Sequence, residues 1–277
     1  MRTTFINSRI EESFIHDGYY VVNLLSPIEL GEVRKGIKDL GYGIDSERKL
    51  RISLYDESTE KKNEIFEELS PIFQNVANTF LQNYILIRMG IFDKLPGGGE
   101  IKAHQQPNLV DESKYRSLTI WVPLSETTVE MGTLHVVKYS HKIFDRVRPV
   151  NDCCRFEKVS EKTMKKYSIP LELKNGQAAI FDDRIIHWSP PNKSSRTRTA
   201  VQLEFIPRDT KPVMYYRIND KEISKYIVDK NYFREVVFPS KKPNNLQAIE
   251  TLTQPCIGYN NKQFISSMQD FNPYKTL

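Results

Sequence analysis

The sequence predicts a mainly β protein, an antiparallel barrel or jelly roll with α-helices along one side. Three observations predict it. Hydrophobic spacing is helical at the start and changes to a period of two near residue 84. Beyond that point short segments rich in Val, Ile, Thr and aromatics follow one another between turn signals. Helices do not alternate with them, which argues against a parallel βαβ sheet. Taken in order, the first forty residues read as strand then helix. Tyr19 to Val22, then Leu24 and Leu25, precede Ser26-Pro27-Ile28-Glu29, a capping box with proline at the first helical position, where a missing N–H costs nothing. Leu30, Val33, Ile37 and Leu40 recur at helical spacing and Gly41 supplies a stop. Ile65, Leu69, Val76 and Phe80 mark a second amphipathic stretch, interrupted or kinked at Pro71. Expected strands are Tyr84 to Phe92, Ile101 to Gln106, Leu118 to Leu124, Thr133 to Val137, Gln177 to Phe181 and Arg198 to Ile206. Residues 142–170 interrupt this meander with basic residues and a short helical piece near Ser160 to Tyr167, and read as a lid-like insertion over one end. A helix is expected at Lys221 to Val228, in a C-terminal extension (207–277) of no legible role. The whole is read as one domain, 1–277, with a core at about 14–206.

Composition narrows the partners. Hydrophobic residues make up 39% and aromatics 11%, with 14 Phe and 14 Tyr, so a core can be built and disorder is excluded for most of the chain. Forty basic against thirty-five acidic side chains leave a net +5, in mixed clusters without the long blocks of a nucleic-acid arm, so no nucleic-acid partner is expected. Two of the three cysteines, Cys153 and Cys154, are neighbours; with Cys256 they argue against a disulfide scaffold. No stretch reaches the roughly 18 apolar residues of a membrane helix. Residues 1–14 lack the apolar core of a secretory signal. A reducing, cytoplasmic location follows as the expectation; oligomeric state is not legible.

Few residues are available for chemistry. The five histidines are His16, His104, His135, His141 and His187. In a strand His104 and Gln106 point to one face and converge in a barrel interior. On the strand opening at Arg198, Arg198, Ala200 and Gln202 share a face while Val201, Leu203 and Phe205 take the other, and a lone interior arginine needs an anion. A single strand histidine is more often a hydrogen-bonded residue than a ligand, so the weight rests on His104 occurring with His187 and Arg198. His135 reads as packed or solvent-facing, and His16 as an exposed turn residue. Pro96-Gly97-Gly98-Gly99 lacks the Lys-Ser/Thr of a phosphate loop and reads as a turn. Arg146, Arg148, Arg155, Lys162, Lys165 and Lys166 read first as a solvated basic face; their functional reading is a lid closing over an anionic substrate.

The order His104-Gln105-Gln106, Leu118-Thr119-Ile120-Trp121-Val122-Pro123-Leu124, Glu130 to Leu134 leading to Ser140-His141-Lys142, and Asn175-Gly176-Gln177 through Phe181 to His187, Ser189 and Arg198 resembles the phytanoyl-CoA dioxygenase family of iron(II)/2-oxoglutarate oxygenases. Asp17-Gly18-Tyr19 and Leu24-Leu25-Ser26 are similar to the start of that family's domain. The resemblance implies a double-stranded β-helix, with Fe(II), 2-oxoglutarate and O2 acting on a small molecule. It implies His104 and His187 as imidazole ligands and Arg198 as the partner of the 2-oxoglutarate carboxylate. Thr119 and Ser189 would add hydroxyls beside it and Trp121 a pocket wall; His141 would belong to a structural Ser-His turn. The departure is Gln106, where the family carries an aspartate ligand. Three readings stay open: an amide ligand in an active oxygenase, a metal held by two histidines and 2-oxoglutarate, or an inactive member that only binds. Asp183 reads as a turn residue, and neither Asp111 nor Glu100 lies at ligand spacing. A cupin-like isomerase needing no 2-oxoglutarate is the third class.

Overall fold

The computed structural model describes residues 2–41, 49–152, 155–235 and 245–271. Helix α1 (Ser8–Asp17) opens the chain, with the Asn7 side chain accepting from the Arg9 and Ile10 amides and Gly18 ending it at φ 84°. The strand-then-helix reading misses α1 because Phe14 is its main apolar anchor, while the buried Glu11 carboxylate accepts from the Thr4 and Phe5 amides. Strand β1 (Tyr19–Asn23) and helix α2 (Pro27–Asp39) follow, the latter with both hydrogen bonds of the expected capping box. After β2 (Leu50–Ile52), helix α3 (Thr59–Ala77) runs on through Pro71.

The strands then come as β3 (Tyr84–Lys94), β4 (Ile101–His104), β5 (Leu118–Pro123) and β6 (His135–Val137). The insertion holds α4 (Ser140–Ile143) and α5 (Glu161–Tyr167), the second capped by Ser160, before β7 (Ile169–Pro170). Strands β8 (Gln177–Asp182), β9 (Ile186–Ser189) and β10 (Arg198–Pro207) complete the core. The extension adds β11 (Val213–Arg217), β12 (Glu222–Ile227), α6 (Tyr232–Glu235), β13 (Glu250–Thr253) and α7 (Asn261–Asp270). The expected helix at Lys221 to Val228 is therefore strand β12. Ile223, Tyr226 and Ile227 favour extended backbone, and β11 and β13 bond to both its edges. A six-residue segment carries too few repeats to separate the two periods.

Two antiparallel sheets form a jelly roll, one ordered β1-β8-β5-β10-β3-β2 and the other β4-β9-β6-β7. Helices α1 to α3 lay Phe14, Val33, Leu69 and Phe73 on the outer face of the larger sheet, against Ile91, Ile120, Leu203 and Phe205. Period two does the rest. Because Val201, Leu203 and Phe205 turn to the helices, Arg198, Gln202 and Glu204 turn inward, opposite Lys94, Gly90 and Arg88 of β3.

The lid-like insertion is held down by the extension. Phe264 of α7 stacks on Phe144 at 5.6 Å between ring centres and meets Tyr167 edge-on at 5.7 Å. Gln254 accepts from the Val147 amide at 3.1 Å and donates to its carbonyl at 2.8 Å. The Tyr259 amide donates to the Arg155 carbonyl at 2.7 Å. Cys153 and Cys154 lie outside the described residues, but Cys256 is disulfide-bonded, which corrects the weight placed on the cysteine count. Adjacency forbids a bridge between two neighbours and says nothing of a third. No helix among the described residues is long and apolar enough to cross a membrane.

Phe264→Ala empties a fully buried ring site and is expected to cost about 3–5 kcal/mol, read as a lower urea midpoint together with faster proteolytic nicking within residues 142–170. A second expectation concerns acid. The His141 ring lies under Gly18, where a Cβ would come within 2.4 Å of its Nδ1, and its Nε2–H donates to the Ile15 carbonyl at 3.1 Å. Burial pushes this imidazole down to about 4. An unfolded histidine titrates near 6.5, so between these values the unfolded chain takes a proton that the folded one refuses. Stability should fall by on the order of 2–3 kcal/mol as pH drops through that window, and urea unfolding of the wild type and His141→Gln at pH 7 and 4.5 measures it.

Candidate metal and cosubstrate site

Strand pairing builds the centre. His104 ends β4 and is the direct cross-strand partner of His187 on β9, with the ring centres 4.2 Å apart. Each Nδ1 is set against the backbone carbonyl two residues earlier, His104 on Lys102 at 2.8 Å and His187 on Ile185 at 3.0 Å. A carbonyl can only accept, so Nδ1 carries the proton and Nε2 keeps its lone pair, the form that binds a metal. Burial lowers both imidazoles below the ordinary histidine range, for His187 with the His104 ring as a second cause. The neutral, ligand-ready tautomer is thus set by the backbone.

Gln106 is buried beside them, with its Nε2 3.5 Å from His187 Nε2. Nitrogen facing a lone pair at that distance is a weak contact, and turning the amide over would place Oε1 at the same point. Its backbone is fixed by a 2.9 Å bond to the Asp183 carbonyl and by Arg148 Nε, which donates to its own carbonyl at 2.6 Å. Among the described residues no group of three His, Cys, Asp or Glu side chains could hold a metal. The carboxylates that might replace the missing aspartate are engaged elsewhere or exposed. Asp111 accepts from Lys225 Nζ at 2.9 Å, Glu100 is exposed, and Asp183 accepts from the Thr119 hydroxyl at 2.7 Å. The donors fit a borderline divalent metal through two imidazoles and, at most, one neutral amide oxygen.

Arg198 is 1% exposed, with its guanidinium 5.4 Å from the centre of the Trp121 ring. Its Nε and Nη2 find no hydrogen-bond partner among the described residues. Burial draws this cation down to about 10. Its cross-strand partner is Lys94, whose Nζ donates to Ser189 Oγ at 2.6 Å and to the Pro190 carbonyl at 2.7 Å. Burial first, then the charge of Arg198, lowers Lys94 to about 6. Arg198, with no hydrogen-bonded carboxylate and only Asp93 acting on it through space, and the Ser189 hydroxyl, held from behind by the Lys94 amine, together make a place for an anion. Lys94 was missed in the sequence, although a lysine closing the inward row Arg88, Gly90, Phe92 of an otherwise apolar strand was a usable signal.

The metal-ready and anion-ready ends share one cavity of about 400 Å³, whose walls include His104, Gln106, Trp121, His187, Ser189 and Arg198. Of the residues expected beside the arginine, Thr119 is the exception. Its hydroxyl is taken by Asp183 behind the wall, so it offers nothing to a ligand at Arg198. Asp183 does sit in a turn but is fully buried, and burial with neighbouring Glu204 holds it well above the carboxylate range. His135 packs on Trp188 at 4.6 Å, and His16 pairs with Asp17 at 2.6 Å.

A jelly roll with paired imidazoles and a buried anion site in one cavity defines the class of metal-centred β-helix proteins. Comparison with known proteins is narrower. The phytanoyl-CoA dioxygenase family model matches residues 15–200, and the chain belongs to that family. It is 27% identical over 172 residues to a phytanoyl-CoA dioxygenase domain-containing protein 1 homolog of Dictyostelium discoideum, covering 56% of this chain and 61% of that protein. It is 29% identical over 163 residues to phytanoyl-CoA dioxygenase 1 of Oryza sativa subsp. japonica, covering 54% and 58%. The matched region thus spans about three fifths of these relatives. Among solved structures, EvdO2 of Micromonospora carbonacea var. aurantiaca, complexed with 2-oxoglutarate, superposes with a TM-score of 0.54 at 21% identity, covering 76% of this chain and 94% of that one. The epimerase SnoN of nogalamycin biosynthesis, with Fe3+, α-ketoglutarate and nogalamycin RO, gives 0.55 at 14% identity, covering 89% and 95%.

Exchanging Gln106 for Asp should tighten manganese(II) or iron(II) binding by about tenfold or more, since it puts a negative charge at the cation. Calorimetric titration measures it; an unchanged affinity would mean that position 106 does not touch the metal.

Proposed function

We propose that the chain is an iron(II)/2-oxoglutarate-dependent oxygenase that hydroxylates a small molecule and releases succinate and carbon dioxide. The observation that carries this reading is Arg198: a buried guanidinium with two unpartnered nitrogens, in the same cavity as two imidazoles whose Nε2 lone pairs are free for a metal. His104 and His187 would hold the iron, with the Gln106 amide oxygen or a small exogenous ligand at the third position. Arg198 would grip the distal carboxylate of 2-oxoglutarate through its planar fork, with the Ser189 hydroxyl beside it and Lys94 holding that hydroxyl from behind. Trp121 walls the cosubstrate and keeps water from the guanidinium. Iron bound there would supply, with oxygen and 2-oxoglutarate, the oxidising power that puts one oxygen atom into substrate and one into succinate. The structures of this fold named above hold 2-oxoglutarate and, for SnoN, iron(III), which supports the pairing of these two groups.

A neutral amide in place of a carboxylate favours one rival, a protein that binds 2-oxoglutarate without turnover. Incubation with iron(II), ascorbate, 2-oxoglutarate and air separates the two by succinate. Release is expected from the wild type and should drop about a hundredfold or more in His104→Ala and Arg198→Glu, the second because a buried charge is reversed. Lys94→Met should raise the 2-oxoglutarate needed for half-maximal rate about tenfold while leaving metal affinity unchanged. Bound 2-oxoglutarate with no metal retained and no succinate would establish the rival instead.

A further inference from the structure

Beyond the cosubstrate end, the cavity wall carries four cations, and each is paired with a carboxylate, Asp152 being shared between Arg155 and Arg217. Arg88 donates through Nε and Nη2 to both oxygens of Glu204, at 2.7 and 2.5 Å, and both residues are buried. Arg148 pairs with Glu112, and its remaining donors meet the carbonyls of Gln106 and Arg146 at 2.6 and 3.0 Å. Arg155 pairs with Asp152 at 2.6 Å and also donates to the Val147 carbonyl. Lys102 meets Glu157 at 3.2 Å at the rim. The arginines of the basic insertion that face the cavity, Arg148 and Arg155, are therefore already bonded to carboxylates. An incoming carboxylate or phosphate would have to displace a buried carboxylate from its arginine, leaving a desolvated charge behind. The rest of this wall is apolar and aromatic, with Leu54, Phe92, Ile101, Val150, Phe156 and Trp188, and Gln202 adds a neutral amide for a hydroxyl or carbonyl.

We propose that the substrate end accepts an uncharged, mainly apolar small molecule that fits in the part of the roughly 400 Å³ cavity left beyond the metal and cosubstrate, and discriminates against carboxylates, phosphates and coenzyme thioesters. This deepens the oxygenase reading and rests on it for the assignment of the Arg198 end to 2-oxoglutarate.

A matched pair of fluorescent probes tests it. N-phenyl-1-naphthylamine and 1-anilinonaphthalene-8-sulfonate share their rings and differ by one anionic group. Both are titrated into the full chain with nickel(II) and 2-oxoglutarate present, and retention of the nickel and 2-oxoglutarate is measured separately by calorimetry. The neutral probe should bind about tenfold or more tightly than the sulfonate, and Val150→Trp, which fills the cavity, should abolish its signal. Glu112→Gln, checked for folding by circular dichroism, frees Arg148 and should bring the sulfonate within about threefold of the neutral probe. Equal or tighter sulfonate binding to the wild type overturns the proposal. So does failure of both probes, a neutral-probe signal that survives Val150→Trp, or a folded Glu112→Gln protein with unchanged selectivity. Loss of nickel and 2-oxoglutarate binding with the probe preference intact would instead sink the oxygenase reading and leave the substrate preference standing.

Discussion

A guanidinium buried without a carboxylate bonded to it is among the least favourable arrangements a protein interior can hold, and Arg198 is held that way, with Asp93 acting on it only through space. The surrounding structure keeps it there. Its strand is bonded on one side to β3 and on the other to β5, so that Lys94 stands directly opposite and Trp121, the partner of Gln202, flanks it four residues along. Burial and that guanidinium hold the Lys94 amine down to about 6, so an arriving carboxylate would favour a proton on it as well. Binding energy from such a ligand is available to offset what folding has spent in assembling the site.

The contrast with the other buried cations sharpens the point. Arg88 is matched by Glu204, Arg148 by Glu112, and Asp182 takes both Arg116 and Arg184. Asp182 is held down to about 2 by those arginines despite its burial. These pairs tie strands and turns together, and they leave the substrate end of the cavity electrically quiet. One cavity is thereby divided into a charged half, which would select the cosubstrate, and a half whose cations are paired. The division comes from where carboxylates were placed more than from where arginines were.

Much of this architecture was legible before any coordinates. The capping box at Ser26, the change of period near residue 84 and the inward face of β10 each follow from local chemistry or from a simple repeat. His104 and Gln106 do meet, but strand β4 ends at His104, and Gln106 is placed by its backbone bonds to Asp183 and Arg148. What escaped was of two kinds. Short segments such as β12 contain too few residues to separate a period of two from 3.6, and their conformation is decided by the strands that flank them. Charged residues were the other kind. Arg148 and Arg155 looked like a basic face because Glu112 and Asp152 are silent in a linear reading, and Lys94 looked ordinary until Arg198 was found beside it.

The sequence by itself determined the jelly roll, its covering helices, the family, and the histidines and arginine on which a metal and an anion would depend, since these rest on spacing and on residue type. Only the tertiary structure decided the neutral, ligand-ready tautomer of His104 and His187, the capture of the Thr119 hydroxyl by Asp183, and which buried cation is left without a bonded carboxylate. The physical reason is that charge and hydrogen-bond satisfaction are properties of neighbours in space. A carboxylate 36 residues away in the chain, as Glu112 is from Arg148, cancels a charge as completely as an adjacent one.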